Sequence, residues 1–278
     1  MKIRVSNSVI GFKEKIHNIW KIEEWAGVDD EKDEVLFFGM YHDYDYDAYR
    51  NFEGKRSVFW CGSDILRLMD NHNYQRVLKL FPATHYTENQ VEADNLKSVG
   101  IEAVIVPSFL ERTEDFPVSY QHSERPHIFM SAHPKREDEY GYDLAIRIAP
   151  KVPEATFHLY GVDKEFYDKT YFHELPENVV IEGNVPPEQF NREIKQYQCG
   201  LRPNIHDGFS EITAKSLLCG QYPITKIKYD KIDNYSTEDE LVMLIKGLRD
   251  KKEPNLETRS HYLKLLNNYP FCKREYAK

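Results

Sequence analysis

The sequence predicts an α/β fold made of two halves, each a parallel sheet flanked by helices. Short apolar runs alternate with stretches of helical periodicity along nearly the whole chain. The helical stretches have the length, about 10–15 residues, that links parallel strands in βαβ units. One polar, aperiodic segment with two prolines, near residues 111–126, breaks the alternation and reads as a linker. About five strand–helix units precede it and about five follow, which gives two Rossmann-like domains with a cleft between them. The chain of 278 residues accommodates both, at roughly 100–200 residues per domain. The expected domains are 1–122 and 123–256.

In order, the first half offers strands at Ile3–Ser6, Val35–Met40, Ser57–Cys61 and Ala103–Val106. Its clearest helix is Glu88–Val99, with Val91, Asn95 and Leu96 at helical offsets. The second half offers strands at His127–Ser131, Thr156–Tyr160, Val179–Glu182, Gly200–Pro203 and Tyr222–Ile227. Tyr140–Ala149 places Leu144, Ala145 and Ile148 on one helical face. Pro186–Tyr197 opens on prolines, which suit a first helical turn. Ser210–Cys219 begins at a capping-type serine and stops at Gly220, a natural C-terminal cap. Leu256–Asn268 is amphipathic, with Tyr262, Leu263, Leu265 and Leu266 on its apolar side.

Composition excludes several classes. At 41% hydrophobic residues the chain is too apolar for a disordered polyanion. It has no apolar run of about 18 residues that would cross a bilayer. Met1–Val5 runs directly into strand-like residues, without the order of a signal peptide, so the expected compartment is cytoplasmic. With 37 basic against 46 acidic residues the net charge is −9. That argues against nucleic-acid phosphates and against an anionic membrane surface. Cys61, Cys199, Cys219 and Cys272 lie far apart and form neither a zinc pattern nor a disulfide framework. Reduced, buried thiols are expected.

The most informative stretch is Cys199–Thr225. A buried strand ends in a polar loop containing Asn204, His206 and Asp207, and Gly208-Phe209-Ser210 then opens a helix. Amides at a helix start, with the macrodipole behind them, favour an anion. A glycine lets a ligand approach the backbone, and Asp207 supplies an acceptor for sugar hydroxyls. His42–Asp47 holds two Asp-x-Asp patterns. Such oxygens suit Mg²⁺ or Mn²⁺, but the segment reads as a loop after Val35–Met40. Its tyrosines are suited to stacking on a sugar face.

Asp207-Gly208-Phe209-Ser210 and Ser216–Gly220 together resemble the donor-binding segment of GT-B glycosyltransferases of the retaining, glycogen-synthase-like superfamily. Tyr142–Gly161 and Asn178–Val185 are similar to that superfamily's preceding elements, and Phe59–Ile65 is similar to its His-Gly-x-Asp loop. The resemblance covers roughly residues 57–225. It implies a GT-B fold whose last helix returns to the first domain, placing 257–278 there. It implies transfer of a sugar from a UDP- or GDP-linked donor to an acceptor hydroxyl, with retention, and with neither metal nor resident cofactor.

By position, the resemblance assigns Asp207 to the donor sugar, and Gly208, Phe209 and Ser210 to sugar or phosphate. Lys135 and Arg136, beside His133, become the cations that neutralise the leaving diphosphate. Lys215 stands where the superfamily has its ribose-binding Glu, with Glu211 one turn earlier as a replacement. Arg202 and His206 join the donor side. Asp64 either fixes the loop facing the cleft or contacts a substrate hydroxyl, with a helix N-cap as its structural explanation. Gly62, Ser63 and His85 fall on the acceptor side. Two alternatives stand beside this reading: glycosyl transfer to a modified DNA base, and a non-catalytic sugar- or nucleotide-binding module.

Overall fold

The structure is a computed structural model that describes residues 1–27, 34–132, 139–162, 165 and 175–271. The chain divides into two compact units. Unit 1 comprises residues 1–112, 206–209 and the segment from 264 onward; unit 2 comprises 113–205 and 210–263.

Unit 1 is built on a six-stranded parallel sheet. Its strands are β1 (Lys2–Val5), β2 (Glu23–Glu24), β3 (Glu34–Phe38), β4 (Lys55–Phe59), β5 (Thr84–Thr87) and β6 (Ala103–Ile105). Their order is β2-β1-β3-β4-β5-β6. A parallel strand covered on both faces reads as an unbroken apolar run, and β3 is buried from Val35 to Phe38. Successive side chains of a strand go to opposite faces. Val35 and Phe37 therefore join Tyr49, Phe52, Val58, Trp60 and Leu96 in one core. Leu36 and Phe38 join Ile3, Trp20 and Phe59 in another.

The C-terminal segment completes that second core. The Trp20 ring lies 5.2 Å from Tyr269 and 4.9 Å from Phe271. The Tyr269 hydroxyl accepts the Phe109 N–H at 2.9 Å. The helix α1 (Lys13–Trp20) presents Ile16 and Trp20, one turn apart, to the same face.

The Asp-x-Asp segment corrects an expectation. It is the start of a helix, α2 (Asp43–Asn51), not a loop. Tyr46 and Tyr49 sit three residues apart and fill the core face, while Asp45 closes a capping box with His42. Asp45 is fully buried. It accepts from Arg4 Nη1 at 2.6 Å, Ser6 Oγ at 2.8 Å and the backbone N–H groups of Tyr41 and His42. Asp43 accepts the Tyr74 hydroxyl at 2.7 Å, and Asp47 pairs with Arg50 on the surface. The three aspartates serve three different partners. The remaining helices of unit 1 are α3 (Ser63–Met69), α4 (His72–Leu80) and α5 (Gln90–Ser98).

Unit 2 repeats the plan with β7 (His127–Ser131), β8 (Thr156–Tyr160), β9 (Val179–Gly183), β10 (Cys199–Arg202), β11 (Ile224–Thr225) and β12 (Asp233–Asn234). The order is β12-β11-β10-β7-β8-β9, all parallel. The helices are α6 (Tyr142–Ile148), α7 (Pro187–Glu193), α8 (Glu211–Leu218), α9 (Glu238–Gly247) and α10 (Leu256–Asn267). β8 is buried along its whole length. Ile128, Met130, Phe157, Leu159, Leu201 and Ile224 form its core with Tyr142, Ala145 and Ile148 of α6. The expected strands are present with ends shifted by a residue or two, the ordinary uncertainty of such boundaries. β2 and β12, two residues each, carry too little pattern to be read from sequence. Among the described residues no helix is long and apolar enough to cross a membrane. Cys199 and Cys219 are buried thiols; burial pushes both above the usual thiol range.

Candidate functional site

The carboxyl end of β10 leads through Pro203–Phe209 to Ser210, the N-cap of α8. The Ser210 hydroxyl accepts from the N–H groups of Ile212 at 3.1 Å and Thr213 at 3.3 Å. Two of the free amides expected at this helix start are thus used by its own cap. The helix is buried all round from Ile212 to Leu218, as befits a helix packed inside a domain. Gly200 of β10 donates its N–H to Ser216 Oγ at 3.0 Å, and a Cβ there would collide with that side chain.

Lys215 is the unusual member of α8. Its side chain is 4% exposed, yet it carries a charge. Such a group needs compensation. Glu211, one turn earlier, stands 3.5 Å from Nζ, and the rings of Phe116 and Phe190 lie 5.6 Å and 5.3 Å away. The replacement expected between Lys215 and Glu211 is therefore a pair rather than a choice. Arg202, at the end of β10, lies 4.4 Å over the Tyr140 ring and donates to the Ser131 carbonyl at 3.4 Å. It thus sits beside the end of β7. His206 is exposed. His133, Lys135 and Arg136 lie outside the described residues.

In unit 1 buried acids tie the loop after β3 to the loop after β4, and the loop after β5 to the segment after β6. Asp64 is the second residue of α3; the N-cap is Gly62, at φ 93°, so the capping role expected of Asp64 does not hold. Instead its carboxyl accepts three backbone N–H groups, from Met40, Cys61 and Ile65, each at 3.0 Å. It joins the loop after β3 to the loop after β4. Burial pushes it up to about 6 against the pull of those bonds. Ser63 is exposed and bonds to Tyr41. His85 is buried in β5, where Trp60 Nε1 donates to its Nδ1 at 3.3 Å. Burial holds it neutral, down to about 4.

Sequence reasoning missed three residues here: Glu88, Asn89 and Glu92. The helix expected from Glu88 begins instead at Gln90, with Asn89 as its N-cap accepting the Glu92 N–H at 3.0 Å. Glu92 Oε2 accepts the Thr87 hydroxyl at 2.5 Å and the Glu88 N–H at 2.9 Å. Its other oxygen is buried with no partner among the described residues, 3.1 Å from where a Cβ of Gly62 would stand. Burial pushes Glu92 up to about 7.

Glu88 Oε1 accepts from Ser108 N at 3.1 Å and from Ser108 Oγ at 2.5 Å. Burial, the Glu92 carboxyl and Asp207 push Glu88 well above the carboxylate range. Within the same unit, Asn89 Nδ2 donates to the Asp207 carbonyl at 2.8 Å. The signal in the sequence was Asn89-x-x-Glu92, which has the form of an ordinary helix cap.

No protein-family model and no curated protein matches the sequence. Solved structures do match its fold. The sucrose-phosphate synthase of Thermosynechococcus elongatus superposes with a TM-score of 0.62 at 12% identity, over 84% of this chain and 69% of that one. Anabaena HepE, solved with UDP and glucose, gives 0.55 at 10% identity, over 84% of this chain and 77% of that one. The pneumococcal O-GlcNAc transferase GtfA, solved with UDP and GlcNAc, gives 0.54 at 12% identity over 85% of this chain. The chain spans about half the length of GtfA (54%) and of TarM (55%). Two parallel six-stranded sheets with flanking helices, in units joined in this order, are the fold of the GT-B glycosyltransferases.

Proposed function

We propose that the protein is a glycosyltransferase that moves a sugar from a UDP- or GDP-linked donor to an acceptor hydroxyl, with retention and without a metal. The observation that carries this reading is the Asp207–Ser210 loop at the carboxyl end of β10, running into α8, in a chain of GT-B fold. Ligands of open α/β sheets sit beyond the carboxyl ends of the strands. GtfA and HepE were solved with UDP and a sugar, which supports a nucleotide-sugar donor here.

In this reading Asp207 orients the donor sugar through its hydroxyls, while Gly208, Phe209 and Ser210 line sugar or phosphate. A departing nucleoside diphosphate gains negative charge, and fixed cations stabilise it. Lys215 is already held in place by Glu211 and two aromatic rings, so little is spent on ordering it during the reaction. Arg202, Lys135 and Arg136 supply further positive charge. Asp64 acts as a positioning residue that fixes the loops carrying Gly62 and Ser63 on the acceptor side. His85, neutral and bonded to Trp60, belongs to the scaffold beneath them.

The test is calorimetric and thermal-shift binding of UDP, GDP, ADP and CMP, with Mg²⁺ and with EDTA, followed by turnover of the matching sugar donor. One diphosphate at 100 times its Kd stabilises the fold by about 2.7 kcal/mol, and EDTA leaves this unchanged. Lys215→Met keeps the side-chain volume and removes the charge. Its unfolding free energy stays within about 1.5 kcal/mol of the parent, since the partner left behind, Glu211, is 40% exposed and stays solvated. Its affinity for the diphosphate falls about tenfold, the loss of one charge-assisted contact. Absence of binding to any of the four nucleotides overturns the proposal. Binding without turnover moves the chain to a non-catalytic nucleotide-binding module.

A further inference from the structure

The loop Asp207-Gly208-Phe209 is gripped at both ends by two residues with no role in the sequence reading. We propose that Glu88 and Asn89 are positioning residues that clamp this loop through its backbone and so fix the direction of the Asp207 side chain. The proposal rests on the donor-binding reading for its effect on activity, but its geometry stands independently within unit 1.

The grip has three parts. Asn89 Nδ2 donates to the Asp207 carbonyl at 2.8 Å. The Phe209 N–H donates to the Glu88 carboxyl. Between these two anchors lies Gly208, where an added Cβ would overlap Glu88 Oε2. The φ angle of Gly208 is not in the left-handed region, so closeness to Glu88, rather than backbone conformation, demands a glycine here.

Each clamping side chain is itself held. Glu88 Oε1 accepts twice from Ser108. Asn89 uses its oxygen to cap α5 and its amide nitrogen to reach Asp207, so its rotamer is fixed from both sides. Glu92 steadies the Glu88 backbone through the Glu88 N–H. Among the described residues, the ionisable groups acting on Glu88 and Glu92 include Asp207, Asp64, Cys61 and Tyr41. Every one of them is an acid, so a neutral side chain at position 88 does the work of the clamp. A glutamine there keeps one oxygen for the Phe209 N–H and turns its NH₂ to the Ser108 hydroxyl, giving up the bond from the Ser108 N–H.

The experiment is hydrogen exchange of residues 206–209 together with donor kinetics, on the whole chain, for the parent, Asn89→Ala, Glu88→Ala and Glu88→Gln. Exchange reads the clamp whether or not the donor reading is right. The amide of Phe209 should exchange about tenfold faster in Glu88→Ala, as expected for one lost buried bond, with β3 and β4 amides unchanged. In Asn89→Ala the loop should loosen in the same sense. Glu88→Gln should restore parental exchange. In turnover, the two alanine variants should raise the donor KM about tenfold with a smaller change in kcat, and the glutamine should recover it. Parental exchange at Phe209 in both alanine variants overturns the clamp. So does donor KM unchanged in both while the parent is active. An inactive parent with a loosened loop in the alanine variants refutes only the donor reading. If Glu88→Ala does not fold, Asn89→Ala, which removes a buried neutral amide rather than a buried acid, decides the question alone.

Discussion

Asp45→Ala should lower the unfolding free energy by about 3–5 kcal/mol, the usual cost of removing one partner from a buried ion pair. The side chain is fully buried and its two oxygens take four donors: Arg4 Nη1, Ser6 Oγ and the N–H groups of Tyr41 and His42. Truncation leaves a guanidinium that is only 19% exposed facing an empty site, plus two backbone donors without an acceptor. It also opens the capping box of α2. Urea denaturation measures this as a fall in midpoint with unchanged slope. Asp47→Ala, four atoms of chain chemistry alike but on the surface beside Arg50, should change stability by no more than about 0.5 kcal/mol. Equal effects at the two positions would contradict the burial on which the helix assignment depends.

The second large effect is a dependence on pH centred on Glu92. Burial raises Glu92 from 4.5 to about 7. A carboxyl raised on folding holds its proton more tightly in the native state. Its contribution to stability is full below pH 4.5 and is lost as the pH rises through 7. The shift corresponds to about 3 kcal/mol. Asp64, raised to about 6, adds in the same direction over pH 4–6. His85 acts oppositely: lowered to about 4, it favours the fold as the pH rises from 4 to 6.5.

Over pH 4–6.5 the raised carboxyls outweigh His85, and their contributions overlap in the raw stability profile of the parent. The difference between the parent and Glu92→Gln isolates the carboxyl. Glutamine cannot ionise and keeps an oxygen for Thr87 and Glu88. Relative to the parent, Glu92→Gln should gain about 3 kcal/mol between pH 4.5 and pH 8. A difference that stays flat across this range would show that Glu92 is ionised in the native protein at neutral pH.

How far the sequence discloses this molecule depends on where the information is stored. Strands covered on both faces, such as β3 and β7, centre on continuous apolar runs and are legible from composition alone. The edge strand Glu23–Glu24 is two exposed acids, held by pairing with β1, and nothing local marks it. The helix α2 was hidden by its Asp and Tyr content, although Tyr46 and Tyr49 carried the helical spacing. At the site, Asp207 to Ser210 could be read because a glycine and a capping serine next to a strand end have a local signature. Glu88 and Glu92 could not. Their chemistry comes from burial and from a loop more than a hundred residues away in sequence, which local spacing does not encode. The same holds for Lys215, whose aromatic neighbours Phe116 and Phe190 come from distant segments.

The closure of the Trp20 core by Tyr269 and Phe271 has a consequence for biosynthesis. On the ribosome, residues 1–112 are made well before Tyr269 and Phe271, so one core of their sheet lacks these two rings until that later segment is made. Unit 2, apart from the short 206–209 insertion, is contiguous in synthesis and can complete its core earlier. Unit 1 thus completes its core only after unit 2 has been made, and it carries exposed aromatic surface in the interval. A ribosome stalled before residue 269 would display Trp20, Phe38 and Phe59 to chaperones, so a nascent-chain pulldown across truncation lengths should show chaperone occupancy persisting until that residue clears the exit tunnel.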